Sequence, residues 1–343
     1  MLKEHLNNLV HKTLKPFGHE AAICNLENRF GPHGMRGTDF YGHQFPIVYR
    51  AALRNFFEFH KRLPDAKALP FAADHLFFSK FFRYFPTTPN AAGKLNAPEF
   101  LDQKRFSNKI YIPRRACVSN MPLSTKDLSL VLGWWLKLDL GNAAMVKVDP
   151  SIDKSGQKML RALTKKWFRT QRYGWRWGEW WYSASPQHIF MEEDLTDRMP
   201  GDEYQLFMKW GRCVMIKKKR IFRSKNPASE RTIASFYDHV GNHIPGKQYG
   251  SGSHDSLELS NHLDVMLEAA TQIAAVFDHI RVDFILLHDA PALGELSYCT
   301  MNARIRYSTA ELEALARQAV ELDIVPQSEG RPSHEALESK LRQ

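Results

Sequence analysis

Apolar positions along this chain switch between a helical and a strand period, and the switches mark its elements. The spacing over residues 45–62 predicts a helix, and that over 77–84 a second. The prolines and glycine of 86–93 read as a linker. Apolar runs at 132–139 (LGWWLKLD) and 145–148 flank a small-residue turn and predict a hairpin. A helix fits 155–172, with Met159, Leu160, Leu163 and Trp167 on one face, and 188–192 is a short strand. Runs at 204–210 and 213–217 form a second hairpin around Gly211-Arg212. The stretch 226–256 is polar and glycine-rich and reads as a long loop, before a strongly periodic helix over 257–277. A third hairpin pairs 280–288 with 293–298 around Asp289-Ala-Pro291. Ser308-x-x-Glu311 has the form of a capping box opening a last helix, and the tail from Gln327 is polar. Hairpins and helices without a regular βαβ series predict an α+β fold with antiparallel sheets.

Composition narrows the picture. A chain of 343 residues, 43% apolar and 12% aromatic, can build one multi-lobed domain or two. No run approaches the roughly 20 apolar residues of a membrane span. The first twenty residues lack the form of a secretory signal and read as an amphipathic helix. Cys24, Cys117, Cys213 and Cys299 are far apart and form no CxxC pair, which points to a reducing, cytoplasmic setting. The formal charge of +10 suggests a polyanionic partner such as ATP, an acidic glycan, a membrane surface or nucleic acid. No RNA-binding or zinc-finger signature accompanies it, so nucleic acid is not the expected partner. The basic runs 217–220 and 165–166 read as solvated faces, and the eight tryptophans as packing residues. His239-x-x-x-His243 reads as loop histidines, because Gly241 interrupts any helix there and no glutamate completes a metalloprotease motif. Gly250-Ser-Gly-Ser253 lacks the lysine of a phosphate loop, and no G-x-S-x-G elbow occurs.

The third hairpin carries the chemistry. It reads Arg281-Val-Asp283, eleven residues, then Glu295-Leu-Ser297. With the turn near Ala290, Asp283 faces the stretch 295–297, and alternation sets Asp283, Glu295 and Ser297 on one face. Arg281 is expected on the other. Two facing carboxylates repel unless a cation or a proton lies between them. The apolar neighbours Phe284, Ile285, Leu293 and Leu296 predict partial burial, which raises that demand. Mg²⁺ bound to phosphates is one solution.

Arg-x-Asp followed a dozen residues later by Glu-x-Asn is the metal-binding pattern of ATP-grasp enzymes, and RVDF…GELS resembles it. The likeness is greatest to the TupA-like branch, associated with teichuronopeptide and capsular polysaccharide synthesis. Trp135-Leu136-Lys137 resembles that branch's F-V-L-K strand, and Glu179-Trp-Trp-Tyr182 followed by Ile189-Phe-Met-Glu192-Glu193 resembles its E-x-x-Y…I-I-x-E-E segment. Glu203-Tyr204-Gln205-Leu206-Phe207 stands where the branch has D-Y-K-F, with Gln205 in place of lysine. The segment 138–144 holds one glycine where the branch has a glycine-rich phosphate loop.

The resemblance, over roughly residues 90–325, implies an ATP-grasp fold: two antiparallel-sheet lobes gripping ATP beside a helical N-terminal lobe. It divides the chain into 1–115, 116–185, 186–326 and a tail of 327–343. It implies ATP and Mg²⁺, with Asp283, Glu295 and Ser297 as metal ligands. Lys137 and Lys94, or Lys104 in its stead, would hold phosphates; Glu192 or Glu193 would meet the adenosine, with Gln205 nearby. Arg281 would meet the transferred phosphate or acyl intermediate, and Arg304 and Arg306 the acidic substrate. The implied reaction phosphorylates a small-molecule or glycan carboxylate, such as a uronic acid, and lets an amine co-substrate attack it. A kinase on the same fold, and a non-catalytic basic binder of glycan or nucleic acid, are the other two classes the residues allow.

Overall fold

The computed structural model describes residues 45–82, 93–124, 126–139, 144–170, 178–179, 181–184, 187–222, 231–249 and 256–322. The expected N-terminal helix, most of the 86–93 linker, the glycine-poor segment 140–143, Gly250–Ser253 and the polar tail lie outside them.

Helix α1 (Phe45–His60) buries Phe45, Val48, Tyr49, Ala52, Leu53 and Phe56, an i, i+3, i+4 stripe. Helix α2 (Ala72–Phe82) begins earlier than its apolar run suggests, because it is buried on every side from Ala72 to Phe81 and its polar members are enclosed with it. Asp74 is fully buried and takes a fork from Arg62 at 2.7 and 3.1 Å.

Two antiparallel sheets follow. The smaller has the order β1-β4-β2-β3, from β1 (Arg115–Ser119), β2 (Trp135–Leu138), β3 (Met145–Lys147) and β4 (Ile189–Glu192). Strand β4 follows position 185, so this sheet draws on both sides of the expected lobe boundary. Helix α3 (Lys154–Thr170) covers it with Leu160 and Trp167, while Met159 turns outward and is 71% exposed, against the expected face.

The larger sheet has the order β10-β9-β5-β6-β7-β8. Its strands are β5 (Asp202–Lys209), β6 (Arg212–Phe222), β7 (Arg231–Asp238), β8 (His243–Ile244), β9 (His279–Leu286) and β10 (Pro291–Ser297). Strands β7 and β8 form where a long loop was expected, with Ile233, Ala234 and Phe236 buried between polar ends. His243 therefore starts a strand, while His239 stays in the exposed turn before it.

Helix α4 (Leu263–Ala274) is shorter than its periodic run and packs on one face of this sheet, over Tyr204, Leu206, Ile216, Val282 and Phe284. Helix α5 (Ala310–Val320) joins α1 and α2 on the other face, over Phe207, Met215 and Phe236. Its N-cap is Thr309, whose hydroxyl accepts from Leu312 N at 3.3 Å. Ser308 accepts from Lys247 N instead, so the capping box does not form.

The basic run of β6 is not a solvated face. Strand alternation sends Lys218 and Arg220 to one side, where both pair with Asp202 at 2.9 and 2.5 Å. Lys217 and Lys219 point to the other; Lys217 Nζ donates to Gln248 Oε1 at 2.8 Å and Lys219 pairs with Glu203. Lys165 and Lys166 are exposed on α3. Cys117, Cys213 and Cys299 are free thiols. No helix among the described residues is long and apolar enough to cross a membrane.

Candidate active site

A cleft of about 340 Å³ opens between the two sheets. Lys137, Arg115 and Glu192 line it from the small sheet; Gln205, Asp283 and Glu295 line it from the large one. Lys94, just before the helical turn Ala97–Phe100, lies at their junction.

The wall contributed by β9 and β10 depends on a register shift. Leu293 pairs with Phe284 and Leu296 with Val282, so Gly294 and Glu295 together face Asp283 across a bulge. The bulge suits glycine: a Cβ at 294 would come 2.9 Å from the Asp283 carbonyl oxygen. It turns Glu295 toward Asp283. Arg281 shares their face, contrary to the expected opposite one, because residues two apart on a regular strand point the same way. Its guanidinium forks onto Asp283 with two bonds of 2.6 Å, and donates to Glu295 Oε1 at 3.1 Å and Ser297 Oγ at 2.9 Å. Gln205 Nε2 donates to Asp283 Oδ2 at 3.2 Å.

The positive group that the facing carboxylates demand is therefore Arg281. Burial pushes Asp283 up from its ordinary value, with Arg281 opposing. Burial also works against ionising Glu295, but Lys94, Arg281 and Lys137 outweigh it and hold Glu295 below the usual carboxylate range. Oxygens of Asp283, Glu295 and Ser297 converge on one nitrogen, Arg281 Nη2, and an all-oxygen set of this kind fits Mg²⁺. Among the described residues no cluster of three acidic, histidine or cysteine side chains stands ready to hold a metal alone.

The opposite wall is organised around Glu192. Lys137 donates to one of its oxygens, and Arg115 Nε to the other at 2.6 Å. Burial would raise the Glu192 carboxyl, but Arg115 and Lys137 prevail and hold it low. Arg115 also donates to Lys94 O at 2.7 Å and Gly294 O at 2.9 Å. It thus ties the small sheet to the bulge that sets Glu295. Burial lowers Lys94, against the attraction of Glu295 and Asp139. Asp139 anchors this corner by accepting from Leu95 N at 2.7 Å.

Other expected residues fall at the margins. Glu193 lines the cleft but is held by Tyr111 and by Arg114 at 2.7 Å. Lys104 is exposed on the helical turn Gln103–Phe106 and lines neither this cleft nor the cavity beside it. Arg304 and Arg306 line neither as well: Arg304 bonds Met301 O at 3.4 Å, and Arg306 lies over Tyr249, 5.4 Å from its ring centre. Arg115 and Lys219 line the cleft without a motif to announce them. The only local sign of Arg115 is the pair Arg114-Arg115 ahead of a short apolar run.

A second cavity of about 250 Å³ adjoins the cleft through Lys94 and Glu295. Trp181, Tyr182, Ser297, Tyr298 and Met301 form its walls.

No family model and no curated protein matches the chain. Among solved structures it is similar to the ATP-grasp ligase PsnB in complex with a minimal precursor, at 14% identity and a TM-score of 0.34, over 69% of this chain and 63% of that one. It is also similar to D-alanine–D-alanine ligase from Bacillus anthracis, at 13% identity and a TM-score of 0.34, over 60% of this chain and 56% of the ligase. N5-carboxyaminoimidazole synthase from Aspergillus clavatus matches at 13% identity and a TM-score of 0.34, over 61% of this chain and 44% of the synthase. The chain thus spans less than two thirds of the length of each. The functional reading rests on the site itself.

Proposed function

We propose that the chain is an ATP- and Mg²⁺-dependent ligase of ATP-grasp type, joining a carboxylate to an amine through an acyl phosphate. The carrying observation is the inter-sheet cleft, with Lys137, Lys94 and Arg115 on one side and the Asp283–Glu295 pair on the other. Phosphoryl transfer is mainly a matter of positioning and of neutralising phosphate charge, and this cleft supplies groups for both.

Lys137 and Lys94 bind phosphate oxygens, with Glu192 holding Lys137 in place until they arrive. Asp283 and Glu295, with Ser297, hold Mg²⁺, which supplies Lewis-acid charge to the phosphates when bound. Arg281 orients both carboxylates and is released toward the transferred phosphate. Gln205 fixes Asp283 from the neighbouring strand. The adjoining cavity takes the acid substrate, and its volume of about 250 Å³ suits a small carboxylate or a single acidic sugar. Arg304 and Arg306 act on substrate portions beyond that cavity.

Thermal unfolding tests the clamp. Mg-ATP is expected to raise Tm, and Asp283→Asn or Glu295→Gln to remove that rise. Equal, magnesium-independent ATP binding by both variants refutes the assignment. ADP release that requires an amine separates the ligase from a kinase, and steeply salt-dependent polyanion binding without turnover would favour a binder.

A further inference from the structure

Immediately after β10 the chain makes an unusual turn. Met301, Asn302 and Ala303 have φ of +50°, +56° and +62°, three consecutive non-glycine residues in the left-handed region. Such a conformation persists only where its surroundings over-determine it, and it clusters at functional sites. Here the surroundings are the N-terminal helices. Lys80 of α2 is buried between Phe77 and Phe81, and its Nζ donates to Asn302 Oδ1 at 2.5 Å. His60, at the end of α1, bonds Ala303 O through Nε2 at 2.9 Å; the carbonyl can only accept, so Nε2 carries the proton. Cys299 Sγ reaches Leu76 O at 3.9 Å.

The turn is thus pinned at Cys299, Asn302 and Ala303 by helices whose described side chains do not line the ATP cleft. Its own residues Cys299 and Met301 are walls of the second cavity. A buried lysine is costly to keep, and an apolar residue of similar length would fill the same space. Asn302 is buried too, and its Nδ2 finds no partner among the described residues, so the Lys80 contact holds it through one atom.

We propose that Lys80 and His60 are positioning residues: they grip the left-handed turn and so shape the cavity for the acid substrate, making the N-terminal helices part of substrate recognition. This rests on the ligase reading, in which that cavity holds the carboxylate.

The test compares the full-length chain with Lys80→Met, measuring amide hydrogen exchange over 299–304, Mg-ATP affinity, and ADP release with a pool of D-glucuronate and L-amino acids. Lys80→Met is expected to speed exchange in the turn at least tenfold and lower ADP release at least tenfold, with the Mg-ATP Kd within twofold. Adding Asn302→Gly, which accepts positive φ without strain, should recover at least threefold of the lost release; general destabilisation predicts a further loss. If Lys80→Met does not fold, Asn302→Ala, which removes the acceptor from the turn side, must show the same split. Unchanged exchange over 299–304, or a Mg-ATP Kd that weakens in step with release, overturns the proposal. If the wild type releases no ADP with the pool while binding Mg-ATP, the choice of acid and amine is what fails, and the exchange measurement still decides whether Lys80 grips the turn.

Discussion

Arg281→Met probes the candidate site most directly, because it keeps side-chain length and removes the charge. The guanidinium makes four hydrogen bonds, two to Asp283 at 2.6 Å, one to Glu295 at 3.1 Å and one to Ser297 at 2.9 Å. Without it, the two carboxylates face each other with Lys94 and Lys137 acting on Glu295 alone and the neutral Gln205 amide 3.2 Å from Asp283. Removing one partner of a buried ion pair costs about 3–5 kcal/mol. The Glu295 side chain is 40% exposed, so solvent screening sets the cost near the lower end, about 3 kcal/mol. At about 2 cal/mol/K of unfolding entropy per residue, 343 residues give roughly 0.7 kcal/mol/K, and Tm falls by about 4 °C. A divalent cation relieves the same repulsion. Millimolar MgCl₂ without nucleotide is therefore expected to restore at least half of the loss in Arg281→Met and to change the wild type little. Differential scanning fluorimetry, with NaCl at matched ionic strength as control, measures both. A variant that melts within 1 °C of the wild type, or one that MgCl₂ helps no more than NaCl, refutes the reasoning.

Two other perturbations follow from the geometry. His60 and His75 are 8% and 3% exposed, and burial lowers both to about 4 from an ordinary 6.5. Their stability contribution is complete above pH 6.5 and is lost between there and pH 4, as the unfolded chain takes up protons the folded one refuses. At pH 5.5 each has given up about 1.4 kcal/mol, so Tm should fall about 4 °C from its value at pH 7.5, and a His60→Asn/His75→Asn double variant should lack that part of the slope. Gly294→Ala places a Cβ 2.9 Å from the Asp283 carbonyl and forces the bulge open. The expected cost is about 1–3 kcal/mol, with a loss of Mg-ATP affinity that calorimetric titration measures; unaltered Mg-ATP affinity would show that the bulge does not set Glu295.

The β9–β10 hairpin was legible because it is local: period-2 alternation, a proline-marked turn and two carboxylates lie within seventeen residues, 281–297. Even there, the bulge at 294–295 was hidden, since nothing in the pattern distinguishes one residue facing Asp283 from two. Residues joined through tertiary contacts were harder to see. Arg115 meets Glu192 77 positions away and Gly294 179 positions away, so no window along the chain contains its environment. Strand β1 is half-exposed along its length and shows no clear alternation. Strand β7 was lost among polar neighbours, and α4 was overextended because residues 257–260, which share its apolar composition, form coil over the sheet. The last helix was found but its cap was placed one residue early, since adjacent serine and threonine offer the same chemistry and only the entering chain chooses between them.

The folding of 217–220 into β6 changes what the formal charge of +10 means outside the molecule. Lys217 and Lys218 are 5% and 3% exposed; Lys218 and Arg220 pair with Asp202, Lys219 with Glu203, and Lys217 donates to Gln248. Counterions condensed on a passing polyanion are displaced by cations that reach its phosphates. Lys217 and Lys218, buried in the sheet, release none. This central strand therefore adds less to the salt sensitivity of any encounter with nucleic acid or acidic glycan than its four cations suggest, since within the run Lys219 and Arg220, 20% and 40% exposed, alone keep appreciable contact with solvent.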